Sequence, residues 1–302
     1  MVPTFEIEVI DLQFQGTEEA IAAFLIKGPG GPVLVETGPG STLPRLIAEL
    51  EERGVRAGEI QGVLVTHIHL DHAGACGWWA QQGVPIYVHT VGAPHLIDPS
   101  KLLASATRIY GDRMQQLWGD ILPAPAEQVF TVEDGQRIEV AGLRFEALET
   151  PGHASHHHVF RLHDIGFTGD ALGILLPGRN WIDLPAPPPE FDLETWSKTL
   201  DRIRRQKFTK VYRTHYGASI GVTDEIDRFA ETLEAAAQLV RSWLEQEAPR
   251  DEMVRRYEQI MRERATAAGL DADSARAYEL ANPRDMSVDG IARYWRKQAR
   301  TA

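Results

Sequence analysis

His67-Ile68-His69-Leu70-Asp71-His72 places three imidazoles and a carboxylate on six consecutive residues. Crowded this closely, protonated histidines would repel one another and unpaired ones would be costly to bury, so a bound cation is the natural resolution. The run just before them, Gln61-Gly62-Val63-Leu64-Val65-Thr66, is apolar and strand-forming, as expected of a buried strand that ends where the ligands begin. Small residues follow, Ala73-Gly74-Ala75-Cys76-Gly77, then Trp78-Trp79-Ala80, the pattern of a helix start packed closely on a sheet. Alternate residues of an extended segment share a face, so His67 and His69 can reach one ion together while Asp71 and His72 turn toward a second.

Four residues on one loop cannot close two coordination shells, so more ligands are expected downstream. His153 lies in Thr150-Pro151-Gly152-His153 after the strand-like Leu143–Leu148; Asp170 ends Ile165–Asp170; His215 follows Val211-Tyr212-Arg213-Thr214. Each sits in a turn-forming context at the end of a strand, where rigid scaffolds hold chemistry. Taken singly, any of them reads as a capping or turn residue. As an ordered set they read as a site.

His67-x-His69-x-Asp71-His72, Pro151-Gly152-His153, Gly169-Asp170 and His215, in that order, resemble the metallo-β-lactamase superfamily of metal-dependent hydrolases, from about residue 5 to about residue 220. The resemblance implies an α+β fold, the αββα sandwich with its metal site at one edge between two sheets. It implies two divalent metal ions, one on His67, His69 and His153, the other on Asp71, His72 and His215, with Asp170 bridging. It also implies hydrolysis of an ester, thioester or lactone of a small molecule by a metal-bridging hydroxide, with Asp71 orienting the nucleophile or returning a proton. The branch resembled is the glyoxalase II-like and lactonase-like one. Zinc is the first choice of metal, with iron or manganese as alternatives for an imidazole and carboxylate set without thiolate. A phosphodiesterase on the same site is the alternative, as is an iron-dependent, dioxygenase-type redox enzyme. The full second-ion set argues against the single-iron dioxygenase, and no flavodoxin-like segment argues for a diiron reductase.

Departures from the family pattern narrow the reading. Relatives often carry Asp-Thr-Gly near the N-terminus, where this chain has Glu36-Thr37-Gly38; Glu36 is expected to orient a ligand histidine with adjusted geometry. Gly173 stands where homoserine-lactone lactonases place a tyrosine, which weakens that substrate class. Cys76, the single cysteine, reads as a small buried residue and not a ligand. His157, four residues after His153, is a candidate for supporting the ligands or facing substrate, and at least one of His156, His157 and His158 is expected to be exposed. His89 and His95 read as capping or packing residues and His163 as part of a turn.

Composition sets outer bounds: 302 residues, 43% hydrophobic and 25% charged, describe an ordinary globular chain. A formal net charge of −12 disfavours a broad nucleic-acid surface, so no nucleic-acid partner is expected and Arg202–Lys207 reads as a solvated helix face. Met1–Glu6 lacks the basic start and apolar core of a signal peptide, and nothing approaches the about 18 apolar residues of a membrane span. With one cysteine, the expectation is a cytoplasmic protein without a membrane partner.

The pattern predicts strands near 5–14, 20–27, 32–37, 85–89, 128–140, 143–150, 158–163, 165–170 and 209–213, and helices near 42–53 and 192–206. Residues 92–120 read as a helical insertion whose Tyr110, Met114, Leu117 and Trp118 recur at helical spacing, as a packing face that could also roof the site. A catalytic domain over 1–222 is expected to be followed by a helical extension over 223–302. Thr223 is the expected cap of its first helix, with Ile226, Phe229, Leu233, Ala237, Val240 and Leu244 on one stripe. Further helices are expected near 251–268, 272–281 and 287–299. The extension either covers the sandwich and lines the substrate channel or forms a homodimer. Pro185–Pro189 reads as a stiff loop, bordering the site or merely connecting.

Overall fold

Two six-stranded sheets lie face to face in the computed structural model, which describes residues 4–301; the first half of the Met1–Glu6 segment and the last residue of the extension fall outside the described residues. The first sheet runs in chain order through β1 (Glu6–Asp11), β2 (Ala22–Gly28), β3 (Gly31–Val35), β4 (Val63–Leu64), β5 (Ile86–His89) and β6 (Val129–Val132). The second is β7 (Arg137–Val140), β8 (Leu143–Glu149), β9 (His158–Leu162), β10 (Ile165–Phe167), β11 (Lys210–Arg213) and β12 (Gly217–Ser219). β1 to β3 are antiparallel and β3 to β6 parallel, which is why β4, paired on both sides, is uniformly apolar.

Period-two alternation divides the core. Phe24 and Ile26 of β2, Val33 and Val35 of β3, and Phe145, Phe160 and Tyr212 of the second sheet meet between the sheets. Ala23 and Leu25, Leu34, Val159 and Val211 point outward beneath the helices, into the larger cluster that holds Leu46, Trp79, Trp196 and Phe229. Helix Leu193–Gln206 covers the second sheet, and Asp192 caps it by accepting the Thr195 N–H at 2.9 Å. Asp192→Ala is expected to lose about 1 kcal/mol, read as a lower denaturant midpoint at unchanged slope.

The structure corrects several element boundaries. The single strand expected over 128–140 is two, because Glu133–Gln136 turns the chain from one sheet to the other with Gly135 at φ 70°. The first strand stops at Asp11, whose carboxylate accepts the N–H groups of Gln13 and Glu19 at 2.9 Å each. β10 ends at Phe167, short of Asp170, and β12 was not foreseen. Thr223 is not the cap: helix Val222–Glu245 has Gly221, two residues earlier, at its cap position with φ 84°. Trp243 is its last buried side chain, and Leu244 is only half-buried.

Helices Val222–Glu245, Arg250–Ala267, Ala272–Ala281 and Arg284–Thr301 pack back on the sandwich. Arg213 on β11 pairs with Glu225 at 2.8 Å, both buried. Tyr278 donates to Trp181 O at 2.7 Å, Trp295 Nε1 to Ala237 O at 2.8 Å, and Arg284 pairs with the buried Asp183. No described helix is long and apolar enough to cross a membrane.

Candidate metal centre

Parallel strands bring their C-terminal ends to one edge of the sandwich, and the predicted residues gather there. His67 and His69 leave the end of β4 in extended backbone, and the short helix Leu70–Ala73 then lifts Asp71 and His72 onto the same patch. His153 arrives from the turn after β8, Asp170 from the turn after β10 and His215 from the end of β11. Gly169 precedes Asp170 at φ 47°, where a Cβ would lie 2.4 Å from Thr66 Oγ1 and 2.8 Å from His157 Nε2, so that turn needs glycine.

The seven side chains form two groups joined by one carboxylate. His67 Nε2 and His153 Nε2 each lie 2.9 Å from His69 Nδ1, so three ring nitrogens converge. Asp71 Oδ2 lies 3.3 Å from His215 Nε2 and 3.8 Å from His72 Nε2. Between them, Asp170 directs Oδ2 to His153 Nε2 at 3.2 Å and Oδ1 to His72 Nε2 at 3.3 Å and His215 Nε2 at 3.6 Å. All seven come together as expected from sequence.

Outer partners fix which nitrogen faces the centre. His153 donates Nδ1–H to Pro185 O at 2.9 Å and His215 to Ala20 O at 2.6 Å, so the Nε2 of each keeps its lone pair for the interior, while His67 Nδ1 meets Thr66 Oγ1 at 3.1 Å. Glu36, fully buried at φ 65°, accepts the Thr66 N–H at 3.3 Å and holds Oε1 3.5 Å from His72 Nδ1. His157 is buried beneath the site: its Nδ1 bonds Thr150 Oγ1 at 2.8 Å and its Nε2 accepts the Asp170 N–H at 3.2 Å, which excludes a substrate-facing role. None of His156, His157 and His158 is exposed, contrary to expectation. Alternation along the start of β9 sends His157 toward Asp170 and His158 onto His89, ring centroids 4.5 Å apart, while His156 pairs with Glu190.

The donor set fits divalent cations. His72 Nε2, His215 Nε2 and Asp170 Oδ1 are buried without any hydrogen-bond partner, an arrangement that costs about 1–3 kcal/mol per group unless something fills the space they share. Burial pushes the His67 and His69 rings down, His69 to about 3, with the neighbouring imidazoles adding to it. His72 is buried too, yet Asp170, Asp71 and Glu36 outweigh desolvation and hold it well above an ordinary histidine. Asp71 shows the converse: burial raises it, and His72 and His215 prevail, bringing it to about 2. Protons and a metal cation compete for the same lone pairs here.

Two other histidine–carboxylate groups are not ligand-ready. Val91 N–H donates to His89 Nδ1 at 3.0 Å, so Nε2 carries the proton and points it at Glu149 Oε1, 3.3 Å away. Ile68 N–H likewise approaches His156 Nδ1 at 3.4 Å, leaving Nε2–H for Glu190 Oε2 at 3.1 Å; Ser155 Oγ donates to the other oxygen at 2.6 Å. The Ser155–Glu190–His156 chain beside the His67–His69 backbone was not foreseen, because Glu190 follows a proline loop with no ligand spacing to mark it.

A family model for the metallo-beta-lactamase superfamily matches residues 16–215, which hold all seven of these side chains. The chain belongs to that superfamily. Most of its members are metal-dependent hydrolases, and the αββα sandwich expected from sequence is the fold observed. Among curated relatives, the metallo-beta-lactamase fold-containing protein ST1585 of Sulfurisphaera tokodaii is 28% identical over 46% of this chain and 54% of its own length. The lactamase-like protein aptB of Emericella nidulans is 27% identical over 78% of this chain and 62% of its own. The chain thus spans little more than half the length of these relatives. Among solved structures, the metallo-beta-lactamase family protein TTHA1429 of Thermus thermophilus is 19% identical, with a TM-score of 0.70 over 98% of this chain and 94% of that one. The family match stops at His215, whereas the likeness to that structure extends over the C-terminal helices as well.

Elements added to the superfamily core shape the approach to the site. A cavity of about 980 Å³ ends on His69, Asp71, His153 and Asp170. The insertion lines it through Tyr110, Leu117 and Trp118, and the C-terminal helices through Met261, Leu280 and Met286. Pro185 and Pro187–Pro189 line it too, so the proline loop borders the site. Gly173 has φ 67°, and a Cβ there would lie 2.5 Å from Phe229 of helix Val222–Glu245; the C-terminal helix occupies the room a side chain would need.

Proposed function

We propose that this protein is a dinuclear metal-dependent hydrolase, with zinc as its metal, that opens an ester, thioester or lactone bond in a small molecule. The observation that carries the proposal is Asp170, whose two carboxylate oxygens face two separate histidine groups, as a bridging ligand must. Divalent cations held there would supply Lewis acidity and a hydroxide nucleophile at neutral pH. Asp71 is the more accessible of the two cluster carboxylates, its side chain 19% exposed against 4% for Asp170. Asp71, the carboxylate open to the cavity, is placed to accept a hydrogen bond from the attacking water, orient it, and pass the proton to the leaving group. Pro185 O and Ala20 O keep the protons of His153 and His215 on the far side of each ring, so the ligand face needs no rearrangement on binding.

Elemental analysis of the purified protein, paired with a panel of ester, thioester, lactone and phosphodiester substrates, tests this directly. About two zinc or manganese ions per chain with turnover of an acyl substrate is the expected result; iron alone without hydrolysis would overturn it. Glu36→Gln removes the buried charge beside His72 and is expected to weaken metal affinity and activity by on the order of 10- to 100-fold, measured by chelator competition and kcat/KM. Wild-type values would mean that Glu36 only ends a strand.

A further inference from the structure

The cavity that ends on the metal cluster has an interior and a mouth of different character. Leu117 and Trp118 from the insertion, with Met261, Leu280 and Met286 from the C-terminal helices, are buried or half-buried and make its wall predominantly apolar. Lys101, Arg113, Arg262, Glu279 and Asp285 in the lining are exposed and of both signs, so they mark the mouth and select no ionic partner, whereas the half-buried charges besides the cluster and Arg284 are the acids Glu190 and Glu258. Arg284, the mostly buried guanidinium in the wall, is already paired with Asp183, with Glu279 adding further negative charge. The interior therefore offers no spare cation to a phosphate or carboxylate. Tyr110 of the insertion bonds Met286 Sδ at 3.4 Å, so the two added elements meet and close the apolar wall. At about 980 Å³ the space lies at the top of the usual range for small-molecule pockets and far exceeds an acetyl group.

We infer that the substrate carries a long or bulky apolar acyl group that lies against this wall, with its scissile carbonyl at the cluster and its leaving group toward the charged mouth; this rests on the acyl-hydrolase reading above. Met261 and Met286 are the adaptable part of the wall, since unbranched thioethers conform to varied apolar shapes.

The test is a series of p-nitrophenyl esters from acetyl to dodecanoyl, assayed with the metal-loaded protein below their micelle concentrations. Each added methylene is expected to raise kcat/KM about three- to fourfold, the equivalent of about 0.8 kcal/mol of apolar burial, until the wall is filled. In Met286→Gln, at a half-buried position, and in Met261→Gln the dependence on chain length is expected to flatten. A flat or falling series in the wild type overturns the inference. Straight-chain methyl ketones, which cannot be hydrolysed, provide a second arm by calorimetry: affinity rising with chain length in the wild type and falling about tenfold or more in the Gln variants, as expected for a polar group in an apolar contact. Ketone affinity that rises with chain length, without turnover of any ester, would sink the hydrolase reading and the acyl assignment with it, leaving the wall as a site for apolar chains only. Turnover without chain-length dependence in either arm would overturn this inference and leave the hydrolase reading standing.

Discussion

Asp170→Ala is expected to release metal and end turnover. The carboxylate supplies one oxygen to each histidine group, and its removal leaves His72 Nε2, His215 Nε2 and His153 Nε2 with no anion between them. Five close imidazoles and Asp71 would then share whatever cation remains, with no second carboxylate to offset its charge. Metal content should fall below about one ion per chain, and kcat/KM by on the order of 10³-fold or more, the scale of losing a principal charge-stabilising group. Asp170→Asn separates charge from shape. Its amide group is nearly isosteric, and the backbone N–H donated to His157 Nε2 is untouched, so folding should survive while the bridge is lost. Full activity in either variant, at normal metal content, would sink the assignment of the whole cluster.

The ligands were legible in the sequence because their spacing follows from backbone geometry. His67 and His69 follow β4 in a segment whose alternate residues share a face, a single helical turn delivers Asp71 and His72, and each remaining candidate ligand lies within four residues of a strand end. Their partners were not legible. His215 is oriented by the carbonyl of Ala20, 195 residues away in the chain, and His153 by the carbonyl of Pro185; a backbone acceptor imposes no residue type and leaves no signature. The break at Glu133–Gln136 did leave a signal that the single-strand reading passed over: Glu133–Arg137 are five consecutive residues without an apolar side chain and include the turn pair Asp134-Gly135, and the strands on either side belong to different sheets. The histidine run 156–158 misled because three polar side chains in a row suggest a surface, whereas each is buried by a separate partner: Glu190, Asp170 or His89. The insertion and C-terminal helices were legible as elements, but their meeting at Tyr110 and Met286 depends on residues 176 positions apart.

Gly152→Ala is expected to be among the most damaging single-methyl additions in this chain, and to act on the metal site as well as on stability. Gly152 has φ 136°, a conformation L side chains rarely adopt, and a Cβ built there would fall 2.4 Å from Trp196 Cβ and 2.5 Å from Trp196 Cα. Neither side can yield easily. Trp196 is fully buried on helix Leu193–Gln206, with Nε1 bonded to Ala171 O at 2.9 Å and its ring against Phe229. The turn itself is tied to that helix by Asp192 N–H to Gly152 O at 2.9 Å and Thr199 Oγ1 to Pro151 O at 2.6 Å. Backbone strain and overpacking together should cost about 3 kcal/mol or more, read as a lower unfolding midpoint. The control is Gly54→Ala, which shares a positive φ of 73° but meets nothing within 4 Å, and should cost only about 1 kcal/mol. His153 is the next residue, so any accommodation of the methyl group moves a ligand relative to Asp170, 3.2 Å away. Gly152→Ala should therefore lose metal to a chelator at concentrations that leave Gly54→Ala loaded. Equal midpoints and equal metal retention in the two variants would show that the Pro151–His153 turn is not held against the helix in the way described.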